Sequence, residues 1–193
     1  MAKKTVNKRA AKIYLLEIWL IDIEPRVWRK LAVRADVRLD ELHMVIQNVM
    51  GWTNSHLHQF DAGGGVQYSY PHPGYDMDND FQDECKVKLS DLASKPKDRF
   101  IYEYDFGDCW EHMIELVAIE EPQKGIKYPV CLAGERACPL EDCGGPLSYP
   151  ELLITLQGPD NKERQELLDW LDGEFDPETF DMKAAEQRLI RWI

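Results

Sequence analysis

A chain of 193 residues with 44% hydrophobic and 10% aromatic side chains holds enough apolar material for a buried core, which excludes a wholly disordered protein. The formal net charge is −12, and because residues 1–12 hold five basic and no acidic side chains, the remainder carries −17. A body this acidic repels a phosphate backbone, which disfavours nucleic acid as a partner. No apolar run approaches the roughly 20 residues that cross a bilayer, so no membrane association is expected.

Charge distribution predicts the domain organisation, and cysteine spacing and the N-terminal segment predict the cellular compartment. Residues 1–12 are predicted to be a basic flexible tail, and residues 13–193 a single α+β domain with a helical C-terminal part at about 147–193. The N-terminal segment lacks the apolar core of a secretory signal, and the five cysteines are irregularly spaced. These features predict a cytoplasmic protein with reduced thiols.

The first predicted elements are a β-hairpin and a helix. Residues 13–23 are rich in β-branched and aromatic side chains, and residues 27–33 alternate with apolar side chains inward, so the turn at Glu24-Pro25 joins two strands. Residues 39–50 have apolar side chains at helical spacing and are followed by Gly51. This pattern predicts an amphipathic helix that ends at the glycine.

The middle of the chain predicts more strands. Residues 56–61 alternate until three glycines at 63–65 interrupt the pattern, and the stretch up to Asp83 is predicted to be an exposed loop. Residues 99–105 and 109–120 both alternate and are separated by a short turn that contains glycine. They form the second predicted hairpin.

The C-terminal part is predicted to be helical. Ser148 and Glu151 have the spacing of a capping box, and Gly158 ends the helix that follows. Two more helices are predicted near 162–171 and 182–193. The fold class is therefore α+β, with an antiparallel or mixed sheet built from two hairpins plus a strand, one long amphipathic helix packed on it, and C-terminal helices.

The candidate catalytic residues surround the turn of the second hairpin. Two aspartates, a glutamate and a histidine there form the densest ionisable cluster in the chain: Asp105, Asp108, Glu111 and His112. Period two places His112 inward beside Trp110, where an imidazole next to a carboxylate suits a general base or a metal ligand. The structural alternative is that both aspartates cap the turn while His112 packs in the core.

Two groups of residues are candidate metal ligands. His56 and His58 are two apart on a predicted strand, which places both imidazoles on one face with Cα atoms about 6.6 Å apart. A polar stripe on a half-solvated sheet is the alternative. The three cysteines after residue 130 lack the C-x2-C spacing of zinc knuckles, so reduced thiols are the default. The possible cofactor is zinc or another divalent metal, with these candidate ligands: His56, His58, His112, Cys131, Cys138 and Cys143.

A further set of residues is a candidate for ligand binding. Arg29 lies on the apolar face of its strand and needs a carboxylate or an anionic ligand, for which an acid of the 105–111 turn is the predicted partner. Gly144 and Gly145 precede a predicted helix start, where free N–H groups can hold an anion unless the capping box already satisfies them. Trp28 and Trp110 complete this set.

Five ordered motifs indicate a family. They are PRVWRK at 25–30, LHMVIQNVMGW at 42–52, SHLHQF at 55–60, YDFGDCWEH at 104–112 and CPLEDCGGP at 138–146. With them the chain resembles the plasmid pRi ORF-three-like family, some members of which carry the insertion-element passenger label TnpR. The resemblance covers nearly the whole chain, with one departure at Leu140, where the family usually has proline.

The resemblance implies membership of this family, but it implies no mechanism, because the family has no established activity. The resolvase label implies a nucleophilic serine and a DNA-binding module, and no basic recognition helix is evident in the sequence. We therefore expect a binding or accessory module for a protein or small-molecule ligand.

Two alternatives remain open, because the sequence has no complete catalytic signature. One is a metal-dependent hydrolase that uses a cluster of five side chains: His56, His58, Asp105, Asp108 and His112. The other is a DNA-associated accessory protein that uses the basic tail and five further basic side chains: Arg26, Arg29, Lys30, Arg34 and Arg38.

Overall fold

A computed structural model describes residues 11–71, 81–171 and 175–192, so most of the predicted basic tail lies outside the described residues. The strands are β1 (Ile13–Leu20), β2 (Trp28–Arg34), β3 (His58–Asp61), β4 (Gln67–Ser69), β5 (Phe81–Asp83), β6 (Arg99–Tyr104), β7 (Trp110–Glu120) and β8 (Val130–Glu135). The helices are α1 (Leu39–Met50), α2 (Leu89–Leu92), α3 (Gly145–Gln157), α4 (Lys162–Trp170) and α5 (Met182–Trp192), and a 3-10 turn follows β5 at Glu84–Lys86.

The strands of the described ranges form one eight-stranded sheet in the order β5-β4-β3-β6-β7-β1-β2-β8. Neighbouring strands run antiparallel, except for the parallel pair β4 and β5. The sheet is therefore mixed, and the predicted α+β fold is confirmed. Both predicted hairpins are present, and β1 pairs with β7, so the hairpins lie side by side.

One face of the sheet carries the core. In β1, Leu16 and Ile18 are fully buried, whereas Glu17 between them is half-buried and lies opposite Glu115 of β7. The apolar side chains of α1 belong to the same buried cluster as the inward side chains of the strands. Period two in the strands and period 3.6 in the helix thus meet in one layer of packing.

Helix α1 has the bounds that the sequence predicts. It ends because Gly51 adopts φ +97°, a left-handed conformation that glycine adopts readily, and donates its N–H to Gln47 O at 2.8 Å. At the start of the helix the Glu41 carboxylate accepts the N–H of Arg38 at 3.0 Å. Helix α1 therefore presents a well-defined buried face, on which His43 and Gln47 also lie.

Two local predictions differ from the structure. The stretch predicted as a loop up to Asp83 contains β4 and β5, although residues 72–80 lie outside the described residues. Helix α3 begins at Gly145, and the Asp108 carboxylate accepts the N–H of Gly144, the residue before the helix, at 3.0 Å. Ser148 is inside the helix, and the predicted capping box is wrong.

The remaining helices follow the prediction. Helix α3 ends before Gly158, and α4 and α5 occupy the two predicted C-terminal segments. No helix within the described residues is both long and apolar enough to span a membrane.

Candidate functional site

A cleft of about 680 Å³ opens where α1, the segment before β3 and the β6–β7 turn meet. Helix α1 contributes Asp40 and His43, and the chain leading into β3 contributes residues 54–58. Glu84 lines another side, and residues 105–107 of the turn complete the rim. The volume is in the range typical of small-ligand sites.

Two stacked imidazoles form the centre of the cleft. The rings of His43 and His58 lie 3.5 Å apart between centroids, with 3° between their planes. His58 Nε2 lies 2.9 Å from Glu84 Oε2, and the hydroxyl of Ser69 donates to the carbonyl of His58 at 2.7 Å. These contacts bind α1, β3, β4 and the 3-10 turn together at one point.

The polar atoms of His43 are paired in a closed network. His43 Nε2 lies 2.7 Å from Asn54 Oδ1, an acceptor, so Nε2 carries the proton. His43 Nδ1 then accepts from the Tyr102 hydroxyl at 2.8 Å, and that oxygen accepts the amide N–H of Gln47 at 3.0 Å. Burial, reinforced by His58, lowers the pKa of His43 to about 3, so the ring is neutral at pH 7.

The carboxyl group of Glu84 is the most deeply buried acid of the cleft. The residue is 1% exposed, and burial raises its pKa to about 7. Near neutral pH this group is therefore partly protonated, and such shifted pKa values are common at binding and catalytic sites.

A second polar cluster lies at the rim. His56 Nδ1 is 3.6 Å from Asp105 Oδ2, and His56 Nε2 is 3.3 Å from Asp142 Oδ1. His56 Nε2 is nevertheless buried without a hydrogen bond to the described residues, because the 3.3 Å contact lacks hydrogen-bond geometry. The other oxygen of Asp105, Oδ1, accepts the N–H groups of Gly107 and Asp108 at 2.9 and 3.3 Å.

The loop that carries Asp142 is anchored by its neighbour Glu141. The Glu141 carboxylate accepts the N–H of Thr53 at 2.9 Å, the hydroxyl of Thr53 at 2.6 Å and the hydroxyl of Tyr104. The loop is therefore attached both to the segment after α1 and to β6. This attachment brings Asp142 next to His56.

The structure brings His56, His58 and Asp105 to this cleft, but not in the predicted manner. Strand β3 begins at His58, and His56 belongs to the bend before it, so the two imidazoles do not share a strand face. His58 points to Glu84 in the interior, whereas His56 faces Asp105 and Asp142. The period-two argument failed because the strand is shorter than its alternating pattern.

The other candidate catalytic residues do not line the cleft. Asp108 supports the start of α3, as described above. His112 is fully buried in the core with Nδ1 3.0 Å from the carbonyl of Trp110, and burial lowers its pKa to about 4. Glu111 is exposed and lies opposite Glu103 on the other face of the sheet. The structural alternative therefore describes Asp105, whose carboxylate caps the turn, and His112, which packs in the core. It does not describe Asp108, whose carboxylate accepts the N–H of Gly144.

The cysteines are not brought together as metal ligands. Within the described ranges, one group of three side chains has ligand atoms within 4.8 Å of one another, and it consists of His56, Asp105 and Asp142. Burial raises the pKa of Cys131 and Cys143 to about 11, and it raises the pKa of Cys138 further. These thiols are thus held protonated, which disfavours metal binding.

The predicted ion pair of Arg29 is also wrong. The side chain, 1% exposed, donates to three backbone carbonyls, Val49 O at 3.1 Å, Trp28 O at 2.7 Å and Glu135 O at 2.9 Å. Its guanidinium also lies 3.8 Å from the ring centroid of Phe180. Carbonyl oxygens and an aromatic face satisfy this cation, so that no acid from the β6–β7 turn is needed.

The other predicted ligand-binding residues have structural positions. Trp28 donates its indole N–H to Glu135 at 3.2 Å, and Trp110 is fully buried. The N–H of Gly144 is taken by Asp108, and a Cβ on Gly145 would lie 2.2 Å from the carbonyl oxygen of Asp108. The predicted anion position is therefore filled by the chain's own carboxylate.

Four of the five basic side chains proposed for DNA binding, all except Lys30, are buried or ion-paired in the described part of the chain. Arg29 is buried, and three others are ion-paired at 2.8 to 2.9 Å: Arg26 with Glu17, Arg34 with Asp36, and Arg38 with Asp40. Such pairs reduce the local positive potential that a phosphate backbone requires.

Four residues of the site were missed by the sequence analysis. They are His43, Asn54, Glu84 and Asp142. His43 and Asp142 lie inside the quoted motifs, where their polar character was visible, but Asn54 and Glu84 lie in segments without a periodic pattern.

Together the fold and the site define an α+β protein with an acidic cleft built around two stacked histidines. The chain belongs to the plasmid pRiA4b ORF-3-like protein family, whose sequence model matches residues 12–184. The family resemblance drawn from the five motifs is thus confirmed.

Two relatives extend over almost the same length. The uncharacterized protein y4hQ of Sinorhizobium fredii (strain NBRC 101917 / NGR234) is 37% identical over 191 residues, which cover 94% of this chain and 95% of the relative. The crystal structure of a protein of unknown function, MM3350 from Methanosarcina mazei Go1, is similar with a TM-score of 0.81 and 33% identity, over 90% of this chain and 97% of that one. Neither name states an activity, and these similarities do not support the hydrolase or the DNA-associated alternative.

Proposed function

We propose that this protein is a binding module that takes a small ligand with a cationic or hydrogen-bond-donating group into the cleft. The observation that carries the proposal is the Glu84 carboxyl group, which lines the cleft while only 1% of the residue is exposed. A buried carboxyl group costs free energy unless a proton, a hydrogen-bond donor or a positive charge compensates it. His58 Nε2 lies 2.9 Å from its Oε2, and a ligand with a cationic or hydrogen-bond-donating group would add to that compensation.

The rest of the lining favours the same class of ligand. The carboxylates of Asp40 and Asp105 also face the cleft, and no lysine or arginine is among its described lining residues. The chain as a whole carries −12, which attracts cations toward its surface. An anionic ligand would meet repulsion at Asp105 and at ionised Glu84, whereas the Asp40 carboxylate is already paired with Arg38 at 2.8 Å.

The floor of the cleft is already organised for binding. His43 is neutral and fully hydrogen-bonded, and its stacking on His58 restricts both rings. A ligand that enters therefore orders few side chains, which lowers the entropic cost of association. The apolar side chains of Met44 and Phe106 line the same cleft and can cover the carbon skeleton of such a ligand.

The proposal is tested by thermal unfolding with simple probes. We expect 1,4-diaminobutane or agmatine at saturating concentration to raise the Tm by about 3 °C or more, and succinate to have no effect. Glu84→Gln should abolish the rise, whereas Glu163→Gln, an exposed substitution on α4, should retain it. Stabilisation by succinate, or equal stabilisation of the Glu84→Gln variant by the amines, would contradict the proposal.

A further inference from the structure

We infer that His56, Asp105 and Asp142 form a divalent-cation site at the rim of the cleft. The ligand atoms of these three side chains lie within 4.8 Å of one another. The inference rests on the proposed function in one respect, since Asp105 lines the same cleft, but it uses neither Glu84 nor the stacked histidines.

The donor set suits a transition-metal ion. One imidazole nitrogen and two carboxylate oxygens are ligands that Zn²⁺ and Mn²⁺ accept in proteins. Ligands about 2.1 Å from a tetrahedral metal are roughly 3.4 Å from one another. His56 Nε2 lies 3.3 Å from Asp142 Oδ1, which is close to that spacing. Asp105 Oδ2 lies 3.6 Å from the other ring nitrogen, Nδ1, so an ion shared by all three residues requires a small adjustment of one side chain.

Two ligand atoms lack hydrogen-bond partners. The side chain of Asp105 is only 10% exposed, and its Oδ2 atom, which faces His56, accepts no hydrogen bond from the described residues. His56 Nε2 is buried and equally without a hydrogen bond to them. The unpaired Nε2 atom faces Asp142, and the unpaired Oδ2 atom of Asp105 lies on the Nδ1 side of the same ring. A buried polar atom without a hydrogen bond is one that a cation can satisfy.

Charge balance favours the same conclusion. In the described part of the chain, no lysine or arginine forms an ion pair with Asp105 or Asp142, and His56 is the ion-pair partner of both. Two carboxylates that flank one imidazole attract a doubly charged ion.

The site is held in place from outside. Asp105 is oriented by the two N–H groups that its Oδ1 accepts, and the Asp142 loop is attached through Glu141 to Thr53 and Tyr104. Such outer contacts fix ligand direction and increase metal affinity. Three protein ligands also leave at least one coordination position of the ion for water or for a ligand in the cleft.

The test is a titration of the chelator-treated full chain with Mn²⁺ and, separately, Zn²⁺, followed by calorimetry and by the Mn²⁺ electron paramagnetic resonance signal. We expect one ion per chain and at least a tenfold loss of affinity in Asp142→Asn and in His56→Gln. Asp142 has a side chain that is 71% exposed, so its replacement leaves the fold intact. Asp169→Asn, an exposed substitution on α4, is the matched control and should retain wild-type affinity.

Glu84→Gln separates this inference from the proposed function. Metal binding should be unchanged in that variant even if amine binding is lost, and a protein that binds amines without metal would refute the cation site alone. The inference is overturned if neither ion binds at 1 mM, or if both site variants bind as the control does, since that uptake belongs to the general acidic surface.

Discussion

His43 of α1 and His58 of β3 stack with ring centroids 3.5 Å apart and planes 3° apart. Two imidazoles at this distance cannot both be positively charged without strong repulsion. This agrees with the low pKa of His43. The stack joins the helix to the edge half of the sheet. It also connects the Tyr102 network on one side to Glu84 on the other.

Replacing Tyr102 by phenylalanine should cost more than a single hydrogen bond. The change leaves both His43 Nδ1 and the amide of Gln47 without their buried partner, so we expect a loss of about 3 kcal/mol in the free energy of unfolding. Tyr14→Phe is the control, because its hydroxyl donates only to Ala93 O, and its loss should be about 1 kcal/mol. Urea unfolding measures both, and equal losses would show that the network adds nothing.

Stability should depend on pH through the buried histidines. Burial lowers the pKa of His112 from 6.5 to about 4, so the unfolded chain binds a proton that the folded chain excludes. The stabilisation is complete above pH 6.5 and declines as the pH falls toward 4. The same sign holds for His43, down to about pH 3.

Glu84 acts in the opposite direction, because its raised pKa stabilises the fold below about pH 4.5 and this contribution is lost as the pH rises through 7.

His112→Asn keeps a donor for the backbone carbonyls and removes one titratable group. Between pH 7.5 and pH 5 the variant should therefore lose about 2 kcal/mol less than wild type. Urea unfolding at both pH values measures this difference, and an identical loss would exclude His112 as its source.

Arg29→Met should be strongly destabilising. The substitution removes one buried and two part-buried hydrogen bonds to backbone carbonyls and the contact with Phe180, for an expected loss of about 3 kcal/mol. Arg34→Met provides the comparison, since Arg34 is half exposed and pairs only with Asp36, and its loss should stay within about 0.5 kcal/mol. A loss for Arg29→Met as small as that of Arg34→Met would contradict the structural role of Arg29.

The close approach of Gly145 to the β6–β7 turn predicts a difference between two glycines. Gly145 and Gly125 have similar positive φ values, +75° and +85°, but a Cβ at Gly145 would lie 2.2 Å from Asp108 O, and one at Gly125 would meet nothing within 4 Å. Gly125→Ala should cost about 1 kcal/mol from backbone strain, and Gly145→Ala about 3 kcal/mol or more from strain plus overlap. Chemical denaturation distinguishes them, and similar costs would mean that the turn moves freely.

Much of the secondary structure was predictable from short-range pattern. Helix α1 matched its predicted bounds because helical spacing and Gly51 both act within a few residues. The hairpin of β6 and β7 was predictable because alternation and a turn are equally local. The start of α3 was not, because the Asp108 carboxylate, which is distant in the chain, accepts the N–H of Gly144 just before the helix, and Ser148 lies inside the helix.

The candidate site was less predictable than the fold. His56, His58 and Asp105 were recognised as candidate site residues from the motifs. The side chains that they contact in the structure were not predicted. Glu84, Asn54 and Asp142 belong to no periodic pattern in the sequence. Arg29 donates hydrogen bonds to backbone carbonyls, whereas a carboxylate partner was predicted.

The spacing of apolar residues along the chain predicted most of the strands and helices, because secondary structure depends largely on neighbouring residues. Which side chains meet depends instead on the order of the strands. The pairing of β3 with β6 sets His58 opposite Tyr104, and the packing of α1 on the sheet brings His43 onto His58. Such contacts join residues far apart in the chain and arise from the packing of the whole core, which no local pattern encodes.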